Sequence, residues 1–480
     1  MEATNNKTVN GVLWSAIDRF AGQGVQFVMS IIIARLVLPS DYGLIAMLTI
    51  FLAIAQTFVD SGFGSALVQK KDRTETDFST AFFFNTVIAI LCYLLLFVTA
   101  PFIAHFYGED QLVSVTRVAG LALIINSFGT VQQAKLTITL DFKKIAVATL
   151  SGVTISGIIG IWMAYRGYGV WALVFQSLTN YSIYMILLWV ISKWHPRLIF
   201  SLSSFKALFA FGSKLLLSSL LHTLYVNLYS LVIGKFFAAK ELGYFNRSSV
   251  LAMFPSSNLS NVIIRAVYPV QCSMQDDNEQ LILNFRQYLR LSCYVMFPLM
   301  IGFCVLAEPL VLIMLKEKWL PAVPYLQILC IAYMWDSIMK LNGSMLNAKG
   351  RSDLFFKAEI IKKITAFIIL AATIPFGIKV MCYGLILYAF ADIRIITFYT
   401  NKLMGLTMIS QVKDLFNILL LSVTMGLVIY FSVLFIDNPY LKLILGTCIG
   451  LVYFAVISRL FRFREFDYIF LFVKSKLGKS

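Results

Sequence analysis

Residues 31–43 read IIIARLVLPSDYG, and residues 230–243 read SLVIGKFFAAKELG. A shift of 200 sets Ile33 on Ile233, Ala34 on Gly234, Arg35 on Lys235, Asp41 on Glu241 and Gly43 on Gly243. Farther along, Pro101 meets Pro309 at a shift of 208, and the eight extra residues fit the acidic QDDNEQ break around Asp276. Charges and glycines matched at constant spacing mark an internal repeat rather than the general sameness of apolar segments.

The repeat is written in membrane language. Hydrophobic residues make up 59% of the 480 and charged residues 13%, against about 25% charged in a soluble domain. A helix needs about 20 predominantly apolar residues to cross the hydrocarbon core. Such runs fall near 12–36, 42–68, 78–104, 112–136, 145–165, 170–192, 205–237, 242–270, 283–315, 322–346, 354–376, 380–401, 415–436 and 441–460. The expected fold class is therefore an all-α membrane protein of about 14 transmembrane helices. It divides into a six-helix bundle over 1–200, a second over 201–403, and two further helices with a basic tail over 404–480. Six is even, so the bundles share one orientation, as a parallel repeat does. Transporters built this way place their substrate site at the repeat interface.

Loop charges agree with that count. With the N-terminus in the cytoplasm, the inner segments hold twenty-one basic residues, among them Lys70, Lys71, Arg73, Lys143, Lys144, Lys349 and Arg351, and the outer segments hold eight. The positive-inside rule then puts both termini in the cytoplasm. The polar start, MEATNNKTVNG, shows no small-residue cleavage site, so no removable signal peptide is expected. The tail RLFRFREFDYIFLFVKSK mixes aromatic and basic residues, which suits either a segment lying along the anionic inner leaflet or a plain stop-transfer flank.

Several function classes fall away. A net charge of +16 in a soluble chain would suggest nucleic acid, but here the basic residues sit in short segments between spans. The seven cysteines form no CxxC pair, and His105, His195 and His222 are too far apart for a helix-borne metal motif, so no metal or cofactor is expected. No Walker A loop supports ATP hydrolysis.

Polar stripes on spanning helices point to a cavity or a helix interface. The first span carries Ser15, Asp18, Arg19, Gly22, Gln23, Gln26 and Ser30; the seventh, Lys214, Ser218, His222, Tyr225 and Tyr229; the eighth, Arg247, Phe254, Asn258, Asn261 and Arg265. Cations outnumber acids there. Arg19, Lys214, His222, Arg247, Arg265 and Lys340 are the candidate substrate-binding residues, for an anionic passenger whose phosphate oxygens suit arginine's fork. Several basic residues have a plainer reading: Arg19 pairs with Asp18 or Asp60, Arg265 and Lys135 snorkel, His222 is a hydrogen-bonded imidazole. Lys357, Lys362 and Lys363 read as inner-flank anchors. Asp18, Asp60 and Glu359 are the candidate ion-coupling acids, with Asp336 and Asp392 also within spans. Pro255 and Pro298 are candidate hinges.

Here a family pattern emerges. LWSAIDRF, ARLVLPSDYGLIAM, DSGFGSALVQKKD, QQAKLTITLDFKK, KWLPAVPYLQILC and LNAKGRSDLFFK together resemble the polysaccharide transporter family of bacterial lipid-linked oligosaccharide flippases, nearest the branch of colanic-acid-type exporters. The resemblance implies the fold of the multidrug/oligosaccharidyl-lipid/polysaccharide superfamily. It further implies a chain in the cytoplasmic membrane that moves an oligosaccharide on undecaprenyl diphosphate from the inner to the outer leaflet. The implied partners are that carrier lipid, membrane lipids, H+ or Na+ as coupling ion, and polysaccharide-assembly proteins around a monomeric transporter; no nucleic acid is expected. The rivals are a lipid II-type flippase, a multidrug antiporter of the same superfamily and a membrane-embedded glycan polymerase or ligase. An antiporter for cations would want an acidic cavity, and an enzyme an outer loop with catalytic acids, where only Glu109 and Asp110 stand together.

Overall fold

In hydrocarbon a backbone N–H or C=O without a partner is costly, and a helix satisfies these groups internally. The computed structural model, which describes residue 14 and residues 21–477, obeys that constraint: its described residues form helices and connecting turns, with no strand. In chain order these are α1 (Ala21–Leu36), α2 (Pro39–Asp60), α3 (Phe63–Gln69), α4 (Glu75–Tyr107), α5 (Gln111–Ala119), α6 (Leu121–Ser127), α7 (Thr130–Ile138), α8 (Phe142–Tyr165), α9 (Val170–Ser192) and α10 (Leu202–Phe236). Then follow α11 (Ala239–Ser273), α12 (Asn278–Val305), α13 (Ala307–Leu315), α14 (Val323–Tyr333), α15 (Asp336–Ala348), α16 (Ser352–Thr373), α17 (Ile378–Met404), α18 (Met408–Val433), α19 (Pro439–Leu460) and α20 (Arg464–Leu477).

Twelve segments are long and apolar enough to cross a membrane by length and composition, which makes the chain a multi-pass membrane protein. Of the fourteen expected spans, the other two are the first, described from Ala21 onward, and α16, whose Lys357, Glu359, Lys362 and Lys363 dilute its apolar run. The full fourteen requires both to cross as well.

Residues 1–246 and 247–480 form two compact units. In the first, α2 packs on α10, α4 and α9, α8 lies along α9, and α3 rests on α7. Phe63, Leu67, Phe82, Trp194 and Leu208 make one of its buried clusters. The quoted repeat acquires a physical cause here. Pro39 opens α2, and Ala239, its equivalent 200 residues later, opens α11. Gly43 lies against the Ala239 carbonyl and Gly243 against the Pro39 carbonyl, so close that a Cβ on either glycine would fall onto that oxygen. Only glycine permits such an approach of two backbones. Asp41 and Glu241 stand in the first turns of their helices, where the helix dipole favours an acid. Although α10 opens the second repeat in sequence, it belongs by packing to this first unit. The boundary at residue 200 marks sequence periodicity, and the division after Asn246 marks contact.

In the second unit α12 packs on α18 and α14, α16 on α17 and α18 on α19. Gly446 and Gly450, one turn apart on α19, let Leu306 and Ile429 approach closely. The expected ninth span is two helices, α12 and α13, parted at Leu306. Pro298 lies inside unbroken α12 and Pro255 inside unbroken α11, so neither interrupts its helix. The fourth span is divided into α5, α6 and α7, and the tenth into a 3-10 turn, α14 and α15. Trp335, at the break before α15, is wedged between the Phe297 and Phe390 rings, each with its centroid 5.2 Å away.

Candidate functional site

The polar stripe of the eighth span meets a charged pair in the second unit. Asp336 and Lys340 are four apart on α15 and so face the same way; their Nζ–Oδ2 distance is 2.7 Å. Asp336 sits in the first turn, where the dipole favours it. Lys340 Nζ also donates to Asn261 Oδ1 of α11 at 3.4 Å. One turn farther along α11, Arg265 is exposed, and among the described residues no carboxylate lies within ion-pairing distance of it. Asn258, three residues before Asn261, ties its amide to the Phe254 carbonyl at 2.8 Å. An arginine, an ammonium and two amides thus share one neighbourhood with a single carboxylate.

What holds α11 in this register is a row of serines on its opposite side. Ser248 Oγ donates to the Ala322 carbonyl at 2.8 Å, Ser256 Oγ to the Tyr333 carbonyl at 2.8 Å, and Ser260 meets Ser337 at 2.9 Å. All three are buried. Such bonds add roughly 0.6 kcal/mol each between membrane helices; their value here is positional, because they fix the register of α11 against α14 and α15. Sequence reasoning passed over this row. Its signal was the recurrence of serine at 248, 256 and 260, which returns to one side of a helix.

Arg247 behaves differently from Arg265. It is 4% exposed, inside the second unit beside Ser248, and not on an accessible surface. Lys362 also departs from expectation: it is no inner-flank anchor but a 5% exposed ammonium. Its Nζ lies 2.7 Å from Asp392 Oδ1 of α17 and 3.1 Å from Glu359 Oε1, and Lys363 stands 3.6 Å from Glu359 Oε2. Glu359 and Asp392 therefore share one buried cation.

In the first unit, His222 is exposed on α10, and its neighbour Thr223 bridges to Thr57 of α2 at 3.2 Å. Asp60, at the end of α2, is exposed and accepts from Gln56 Nε2 at 2.7 Å. The turn after it passes close to Gly212 of α10, two residues before the backbone position of Lys214. Lys135 does not snorkel freely: it pairs with Glu75 at 3.0 Å and lies over the Phe78 and Trp194 rings. Asp18 and Arg19 lie outside the described residues. Of the predicted cations, then, the structure joins Lys340 to the α11 face that carries Arg265, buries Arg247 and leaves His222 exposed on α10 of the first unit.

The family described as "Polysaccharide biosynthesis protein" matches residues 32–324. The teichuronic acid biosynthesis protein TuaB of Bacillus subtilis (strain 168) is 29% identical over 359 residues, covering 74% of this chain and 74% of its own length. The lipopolysaccharide biosynthesis protein WzxC of Escherichia coli (strain K12) is 27% identical over 358 residues, covering 74% of this chain and 73% of its own. Among solved structures, the lipid II flippase MurJ in an inward closed conformation superposes with a TM-score of 0.76 at 15% identity, over 94% of this chain and 98% of that one. At such identity the likeness is one of fold.

Proposed function

The chain belongs to the polysaccharide biosynthesis protein family, and from that premise we propose that it is a flippase for an oligosaccharide carried on undecaprenyl diphosphate. The headgroup passes from the inner to the outer leaflet of the bacterial cytoplasmic membrane by alternating access, while the prenyl chain stays in lipid. Relatives named for teichuronic acid and lipopolysaccharide biosynthesis and a fold shared with a lipid flippase support this reading. The loop charges support cytoplasmic termini.

The observation that carries the proposal is the α11 face of Asn258, Asn261 and Arg265 with Lys340 beside it. A diphosphate offers many acceptor oxygens; Arg265 supplies a planar fork and Lys340 a point charge. Asp336 holds the Lys340 ammonium until the anion, or a proton on Asp336, replaces that contact. This makes Asp336 a coupling candidate beside Glu359, Asp60 and Asp18. A cationic drug would meet like charge here, which disfavours an antiporter for cations, and the chain acts as a transporter, not an enzyme.

The test is reconstitution into proteoliposomes with a labelled undecaprenyl-diphosphate oligosaccharide, following arrival of its headgroup on the far face. Transport well above protein-free vesicles is expected; transport of lipid II in preference to every other glycan would move the assignment to a lipid II-type passenger, and no transport of any prenyl diphosphate would overturn it.

A further inference from the structure

A second basic site in the second unit is built without Arg265, Asn261 or Lys340. A cavity of about 540 Å³ opens between α12, α18, α19 and the turn that leads into α20. Its polar wall holds Arg290, Arg462 and Arg464, and none of its lining residues is acidic. Its apolar wall is Leu420 and Leu421 of α18 with Ile457 of α19. A void of this size, with charge at one end and hydrocarbon along the other, matches an amphiphile with an anionic head.

The arginines are placed there by fixed structure. Arg290 Nε donates to Glu465 Oε1 at 2.6 Å, and Glu465 is 7% exposed, so α20 is tied to α12. Tyr294, one turn along α12, donates from its hydroxyl to Ser458 Oγ at 2.6 Å and packs on Phe463. α19 ends with the Phe463 amide bonded to the Ser458 carbonyl at 2.9 Å, which puts Arg462 at φ +51°. That left-handed position ordinarily goes to glycine or asparagine. The turn thereby holds Arg462 in the lining of the cavity. The basic tail falls on the inner side in the loop-charge reading.

We propose that this cavity binds the phosphate headgroup of an anionic glycerophospholipid of the inner leaflet, with Arg290, Arg462 and Arg464 around the phosphate and an acyl chain along Leu420 and Leu421. The bound lipid stitches α20 to the last two spans. This site is independent of the passenger and of the function proposed above.

The experiment is native mass spectrometry of the full chain in detergent, titrated separately with phosphatidylglycerol, phosphatidylcholine, undecaprenyl diphosphate and inorganic phosphate. The wild type is expected to retain one phosphatidylglycerol in preference to phosphatidylcholine. Arg462→Gln with Arg464→Gln weakens that adduct about thirtyfold, at roughly 1 kcal/mol per basic residue. Thr424→Phe, which fills the cavity without changing charge, removes it as well, whereas Lys402→Gln with Lys413→Gln leaves it intact. Equal loss in both charge-removal pairs would show bulk attraction and overturn the site. So would displacement of phosphatidylglycerol by millimolar inorganic phosphate, or stronger retention of undecaprenyl diphosphate at these arginines than of phosphatidylglycerol.

Discussion

Arg265 and Lys340 differ in what surrounds them, and the difference predicts how their variants behave. Arg265 is exposed with no described carboxylate beside it, whereas Lys340 is held by Asp336 at 2.7 Å. Arg265→Ala is expected to lower the initial transport rate about ten- to hundredfold, the range for losing a charge-assisted hydrogen bond. Arg265→Lys keeps part of it, because an ammonium keeps the charge and loses the fork. Asp336→Asn should tighten prenyl-diphosphate binding by freeing Lys340; weaker binding in a direct titration would count against the exchange of partners. The Lys362–Asp392 pair makes a separate prediction about stability. Lys362→Met alone strands a buried carboxylate and should cost about 3–5 kcal/mol, while Lys362→Met with Asp392→Leu recovers most of that; thermal unfolding in detergent measures both. Sequence alone showed which residues were charged within spans, but not this pairing, since Lys362 and Asp392 sit thirty positions apart on different helices. Lys340 and Asp336, four apart on one helix, were within its reach.

At the level of helices, the most legible features were those written in composition. Long apolar runs became helices because the backbone has no other partner in lipid, and of the thirteen expected spans from residue 42 onward all but 354–376 fall on helices apolar enough to cross. Interruptions were illegible: the breaks at Leu306 and around Trp335 arise where neighbouring side chains pack, while Pro255 and Pro298, the residues that advertise a break, leave their helices whole. The repeat of glycine at 43 and 243 was visible as a pattern, and its cause, a backbone-to-backbone seat, was not. Gly43→Ala and Gly243→Ala should each cost about 1–3 kcal/mol by overpacking. Gly24→Ala, whose added Cβ meets nothing within 4 Å, should be neutral or stabilise by about 0.5–1 kcal/mol through helix propensity. Comparable melting midpoints for all three variants would show that the glycine seat carries no weight.

For the whole molecule, membrane topology and passenger chemistry each yield to one direct measurement. If α16 crosses, single cysteines replacing Lys349 and Lys379 in a cysteine-free background label from opposite faces with an impermeant maleimide; labelling from one face would reduce the span count and reverse every later loop. The central claim is that a cationic face on α11 receives the diphosphate. Its most direct measurement is a matched titration of undecaprenyl diphosphate and undecaprenol against wild type and Arg265→Ala. The account predicts that wild type prefers the diphosphate at least tenfold and that Arg265→Ala loses most of this preference while binding the alcohol unchanged; equal preference in both proteins would contradict it.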